Sequence, residues 1–144
     1  MKYALLLFTF FLCSQLSIAQ QPAIKIHCLA PVKLKTGQSV KLKVELTHNL
    51  KEEKTGTLVL SLINHQTKTS VDGWFLNIFP FQYFTTIQNE KFEVEFTFTV
   101  PNDYSDSFDL VLVAHVGNLK DSIGFVIPTN KAVTYTHPEP TRPY

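Results

Sequence analysis

Residues 39–49 alternate without a break. Val40, Leu42, Val44 and Leu46 take every second position, with Lys41, Lys43, Glu45 and Thr47 between them. A period of two sends successive side chains to opposite faces of a strand, so this segment buries one face and wets the other. Residues 91–100 repeat the pattern: Phe92, Val94, Phe96, Phe98 and Val100 alternate with Lys91, Glu93, Glu95, Thr97 and Thr99. No segment after residue 19 carries a sustained helical repeat of apolar residues. The chain is therefore expected to be built from strands, and a strand with one apolar face needs a second layer to cover it.

The rest of the chain supplies that layer. Residues 24–29 read as a short strand, bent at Ala30-Pro31, and 32–35 as its resumption along an edge. Thr36-Gly37-Gln38 is a turn. Residues 57–64 turn Leu58, Leu60 and Leu62 inward, and 82–87 read as a further strand. Residues 108–116 are apolar on both sides, with Leu110, Leu112 and Ala114 on one face and Val111 and Val113 on the other. A strand covered on both faces is central. Gly117-Asn118 links it to a returning strand over 119–127, closed by Pro128. Seven or eight such strands predict an all-β fold, an antiparallel two-sheet sandwich of immunoglobulin-like type. The Cys-Trp-Cys arrangement of antibody domains is missing.

Residues 71–86 concentrate aromatic side chains: Trp74, Phe75, Phe79, Phe81, Tyr83 and Phe84. A buried ring removes roughly 150–250 Å² from water, on the order of 4–6 kcal/mol each as an upper bound. Pro80 interrupts the run, so it cannot be a single central strand or a single helix. The segment reads as a crossing that plugs the gap between two sheets and then becomes a strand. Its rings have two readings. They fill the core, or Trp74, Phe75, Phe79, Phe81 and Tyr83 form an exposed binding surface.

Residues 1–19 read as a cleaved signal peptide: Lys2, an apolar run over 4–12, and Ser17-Ile18-Ala19 before the break. That run is too short for a membrane span of about 20 residues, and lipidation at Cys13 would need a small residue where Leu12 stands. Export to the periplasm or the exterior is the expectation. One sandwich domain over 20–135 and a proline-rich tail over 136–144, with Pro138, Pro140 and Pro143, complete the division. Without Lys2 the chain has twelve Lys plus Arg against twelve Asp plus Glu. A net charge near zero argues against nucleic acid or an anionic membrane surface as the main partner. Cys28 is left without a second cysteine, so the core must hold the fold.

Catalytic groups do not converge in the sequence. His27, His48, His65, His115 and His137 share no metal-ligand spacing. Cys28 follows His27, but neighbouring strand residues point to opposite faces, so a nucleophile–base pair is disfavoured and a half-buried inert thiol expected. Asp103, Asp106 and Asp109 crowd one loop without the spacing or the glycine of a standard calcium site. No nucleophile elbow, phosphate-cradling glycine loop or glycosylation acceptor occurs. No enzyme activity, cofactor or metal is expected.

Several stretches, in order, resemble the sandwich domain that precedes the thioester domain in alpha-2-macroglobulin family proteins, especially the bacterial type. They are Ala30-Pro31 with Leu34-Lys35-Thr36-Gly37-Gln38-Ser39-Val40, then 44–49 with Thr55-Gly56-Thr57-Leu58. Val71-Asp72-Gly73-Trp74-Phe75 and Gln82-Tyr83-Phe84-Thr85 follow, then 96–101 ending in Val100-Pro101, then Asp121-Ser122 and Val126-Ile127-Pro128-Thr129-Asn130. The resemblance implies a macroglobulin-like sandwich. Family members trap peptidases through a bait segment and a Cys-Gly-Glu-Gln thioester. Here Cys28 is followed by Leu29-Ala30, and the family's Ser-Asp pair stands as Asp121-Ser122. Thioester chemistry and trapping are not implied, whereas docking to other protein modules is. The expected function is a non-catalytic exported module acting by protein contact, accessory to or a truncated form of a peptidase-trapping inhibitor. The alternative is a carbohydrate- or surface-binding module using the aromatic stretch from Trp74 to Phe84.

Overall fold

Nine strands and no helix form over residues 23–130, the part of the chain that the computed structural model describes. The expected signal peptide, Cys13, His137 and the proline-rich tail lie outside the described residues.

One sheet has three strands in the order β1 (Ile24–Cys28), β3 (Ser39–His48) and β6 (Phe92–Thr99). The other has four, in the order β5 (Phe81–Thr85), β4 (Thr55–Asn64), β7 (Phe108–Val116) and β8 (Leu119–Ile127). Every pairing inside these two sheets is antiparallel. The exception lies at one end, where β2 (Leu34–Lys35) runs parallel to β9 (Thr129–Asn130). Gly37, at a φ of 76°, makes the turn that leads from β2 into β3.

The alternating residues meet between the sheets. Leu42, Leu46, Phe96 and Phe98 come from one layer and Leu58, Leu60, Leu62, Leu110 and Leu112 from the other, all fully buried. Each such side chain contributes on the order of 1.5–3 kcal/mol by leaving water. Asp121 on β8 accepts a hydrogen bond from Ile26 N on β1 at 2.8 Å, joining the sheets at that side. At the other side Phe84 of β5 packs on Phe92 of β6, with ring centroids 5.3 Å apart.

Two expectations need adjustment. β7 is central, between β4 and β8, but it is not covered on both faces. Val111 and Val113 are only half-buried, because no described element lies over the outer face of the four-stranded sheet. β4 begins two residues earlier than expected, at Thr55. Its Gly56 fits there because the space for a side chain is already taken. A Cβ would stand 2.4 Å from Val116 Cγ2, 2.5 Å from His115 O and 2.7 Å from Phe84 Cζ.

Candidate functional site

The aromatic stretch divides. Residues 71–80 leave β4, reach across to β6 and return to form β5. Val71 N donates to Leu62 O at 2.9 Å, and Leu62 N donates to Asp72 Oδ1 at 2.9 Å, which ties the start to β4. Thr99 N then donates to Phe75 O at 2.7 Å, which ties the middle to β6. Phe75 is completely buried, its ring 4.8 Å from those of both Tyr104 and Phe108 and 6.4 Å from that of Phe98. It belongs to the core and not to any binding surface. Phe84 is buried as well.

The other four rings point to solvent. Trp74 is 52% exposed, Phe79 75%, Phe81 60% and Tyr83 74%, and Leu76 and Ile78 beside them are 58% and 70% exposed. Leu76 sits at a φ of 54°, a left-handed conformation that is unusual for a side chain of this kind. Asn77, by contrast, is buried, because its Nδ2 donates to Leu60 O at 3.1 Å and Asp72 Oδ1 at 2.8 Å. The turn is held by a polar anchor, and the apolar side chains flanking it face outward.

Phe81 and Tyr83 extend this patch onto a sheet. They share the outer face of the four-stranded sheet with Thr57 and Val59, their ladder partners on β4. Val113 stands opposite Val59, and His115 opposite Thr57. Val111 and the exposed Val126 continue the face. Ten Å or so away, through the core, the outer face of the three-stranded sheet is ordinary solvated surface. It carries Lys41, Lys43, Glu45, Glu93 and Glu95, with Lys41 paired to Glu95 at 3.1 Å and Lys91 to Glu45 at 2.9 Å. The two outward faces thus differ in kind. One is charged; on the other, Phe81, Tyr83 and a row of valines stand among Thr57, Ser61, Asp109, His115 and Lys120.

The residues weighed for catalysis lie apart. Cys28 is half-buried in a cavity of about 950 Å³ that also touches Lys43, Val44, Glu93 and Val94. Burial pushes its thiol above the ordinary value, which keeps it protonated and a poor nucleophile. His27 Nε2 pairs with Thr47 Oγ1 at 3.0 Å, and His48 Nδ1 accepts from Leu50 N at 3.3 Å. His65 and Lys68 both bind Asp109, Lys68 Nζ at 2.9 Å from Oδ2. Asp106 instead accepts from Asn64 Nδ2 at 3.2 Å. Asp106 and Asp109 therefore serve different partners. Among the described residues no three His, Cys, Asp or Glu side chains group as a metal site.

Sequence reasoning missed the Asn64 corner. Asn64 Oδ1 accepts from Gln66 N and Thr67 N, both at 2.9 Å, while Nδ2 also donates to Tyr104 Oη at 3.1 Å. Burial, followed by the Asp106 charge, raises Tyr104 above the ordinary phenol value. An Asn at the end of an apolar strand, followed by the polar run His65-Gln66-Thr67, is the signal for such a turn.

No family model matches the sequence, and no curated protein matches it. Among solved structures, a family 123 glycoside hydrolase from Clostridium perfringens is similar with a TM-score of 0.51 and 9% identity. The likeness covers 76% of this chain and 27% of that one. The alkylpurine DNA glycosylase AlkC of Pseudomonas fluorescens, solved on DNA containing an abasic site analogue, gives a TM-score of 0.45 and 12% identity over 74% of this chain and 31% of that one. The chain spans less than a third of either protein, and neither is an alpha-2-macroglobulin. At such low identity the hydrolase likeness shows a shared fold and nothing more, a sandwich of antiparallel sheets.

Proposed function

We propose that this chain is a non-catalytic, exported sandwich module that works by protein–protein contact. Its contact surface is the exposed run of Trp74, Leu76, Ile78, Phe79, Phe81 and Tyr83 together with the adjoining outer face of the four-stranded sheet. The observation that carries this reading is the contrast between the two outer faces. The outer face of β3 and β6 carries Lys41, Lys43, Glu45, Glu93 and Glu95, whereas exposed rings gather along residues 74–83. Apolar surface gathered into one exposed patch marks a contact site. The mixture of aliphatic and aromatic side chains suits a protein partner, since interface centres are rich in such residues and poor in charge. The resemblance to a macroglobulin domain supports the same reading and suggests a part accessory to, or derived from, a peptidase-trapping inhibitor.

The test is retention of a protein from the native envelope fraction on the immobilised chain, compared with Tyr83→Lys. Retention by the wild type that the variant loses is the expected result. Equal retention by both would remove this surface from the account.

A second reading, a carbohydrate-binding surface, is favoured by Phe81 and Tyr83 lying two residues apart on one sheet face, where rings can stack on sugars. It predicts retardation on polysaccharide gels that Tyr83→Ala abolishes. Unretarded migration on every such gel would dismiss it.

A further inference from the structure

Among the described residues the contact surface ends at an uncovered strand edge, and the geometry of that edge specifies a partner. Leu60 N donates to Pro80 O, and Thr86 N to Lys54 O, both at 2.9 Å. Backbone groups in an antiparallel ladder alternate between the two sides of a strand. Even-numbered residues here turn theirs toward β4, so the N–H and C=O of Phe81, Tyr83 and Thr85 face away from the sheet. β5 is the terminal strand on this side. Edge strands are normally blunted by charge, by proline or by a covering element. The five residues of β5, Phe-Gln-Tyr-Phe-Thr, contain no charge and no proline. The opposite end of the same sheet is handled differently, since β8 carries Lys120 and Asp121, and Asp121 is engaged by β1.

We propose that β5 pairs antiparallel with β5 of a second copy of this chain, about a two-fold axis at Tyr83. The inference rests on the protein-contact reading and names its partner. Three features select a second copy. The first is register. A two-fold at Tyr83 sets Phe81 opposite the partner's Thr85, Tyr83 opposite the partner's Tyr83, and Thr85 opposite the partner's Phe81. All three edge-facing residues then exchange both backbone bonds, and the two four-stranded sheets become one. The second is charge. A two-fold places like on like, which penalises a charged strand and leaves a neutral one unopposed. The third is ring placement. Tyr83 lies beside the partner's Tyr83 on one face of the joint, and Phe81 beside the partner's Thr85, so each side chain flanking the joint meets a neutral neighbour.

Sedimentation equilibrium of the purified chain over a concentration series tests this. A dimer with a micromolar dissociation constant would be nearly complete at about 100 µM. Tyr83→Lys and Phe81→Lys leave the fold intact, because both side chains are exposed; Tyr83→Lys, which sets like charges opposite each other at the two-fold, should weaken the dimer at least about tenfold, and Phe81→Lys, opposite the partner's Thr85, by less. Thr97→Lys, exposed on the outer face of the three-stranded sheet, should leave it unchanged. Mixing Tyr83→Lys with Tyr83→Glu should give a dimer tighter than either variant forms alone. A wild-type chain that is monomeric at that concentration, a dimer indifferent to both lysine variants, or open-ended assembly in place of a dimer would each overturn the proposal. A monomer whose retention of an envelope protein still depends on Tyr83 would overturn only the self-pairing, whereas a monomer that retains nothing would overturn the contact reading as well.

Discussion

Trp74 and Phe75 are chain neighbours with opposite fates, so truncating each in turn tests the reading of this segment. Phe75 has no exposed surface and touches three rings across both layers. Burying such a ring is worth on the order of 4–6 kcal/mol as an upper bound, and Phe→Ala changes in cores cost about 3–5 kcal/mol. Phe75→Ala should fall in that range, a large share of the roughly 5–15 kcal/mol that holds a domain of this size together. Trp74 is half exposed and makes one edge-on contact, with Tyr104 at 5.4 Å. Trp74→Ala should cost only about 1–2 kcal/mol, the sum of one ring pair and partial burial. Urea titrations followed by far-ultraviolet circular dichroism measure both on one scale. Equal costs, or a cost for Phe75→Ala below about 1 kcal/mol, would refute the placement of the crossing segment.

Other outcomes follow from the same packing. Phe96→Ala should cost about 3–5 kcal/mol in the same titration, since Phe96 is buried at the centre of β6. Gly56→Ala should destabilise by about 1–3 kcal/mol or more, because one of the atoms that a Cβ would strike is the backbone oxygen of His115. Asp109 gives a pH dependence. The Lys68 ammonium, with a smaller contribution from His65, holds its carboxyl below the usual carboxylate range. Its stabilisation is present above the unfolded-state value of about 3.9 and is lost as pH falls through the lower folded-state value. The gap in melting temperature between wild type and Asp109→Asn should therefore be small but positive at neutral pH, as befits an exposed lysine partner, and close on acidification. A gap that widens toward low pH would reverse the sign of this argument.

The long strands were legible because their burial repeats. β7 and β8 match the expected limits to the residue, and β3 and β6 to within two. The pair formed by β2 and β9 was not, since two residues cannot show a period and a parallel pairing leaves no local mark. Gly56 hid the start of β4. A glycine after a charged run reads as loop, whereas here it admits Phe84 and Val116 against the backbone. In the aromatic stretch the residue types gave the driving force but not its direction. Phe75 goes in and Leu76 out because turns, and not a strand or helix, set their orientation, and the polar Asn77 goes in because its amide has two acceptors waiting. The valines on the second face of β7 looked like core by hydrophobicity alone, and lie on the outer face of the sheet instead.

Amide hydrogen exchange along β5 tests most directly whether the aromatic edge is free for a partner. In dilute solution the amides of Gln82 and Phe84 should be protected by β4, while those of Phe81, Tyr83 and Thr85 exchange freely, and the three should slow as concentration rises. Five amides equally protected at the lowest concentration would mean that the edge is already closed within one chain.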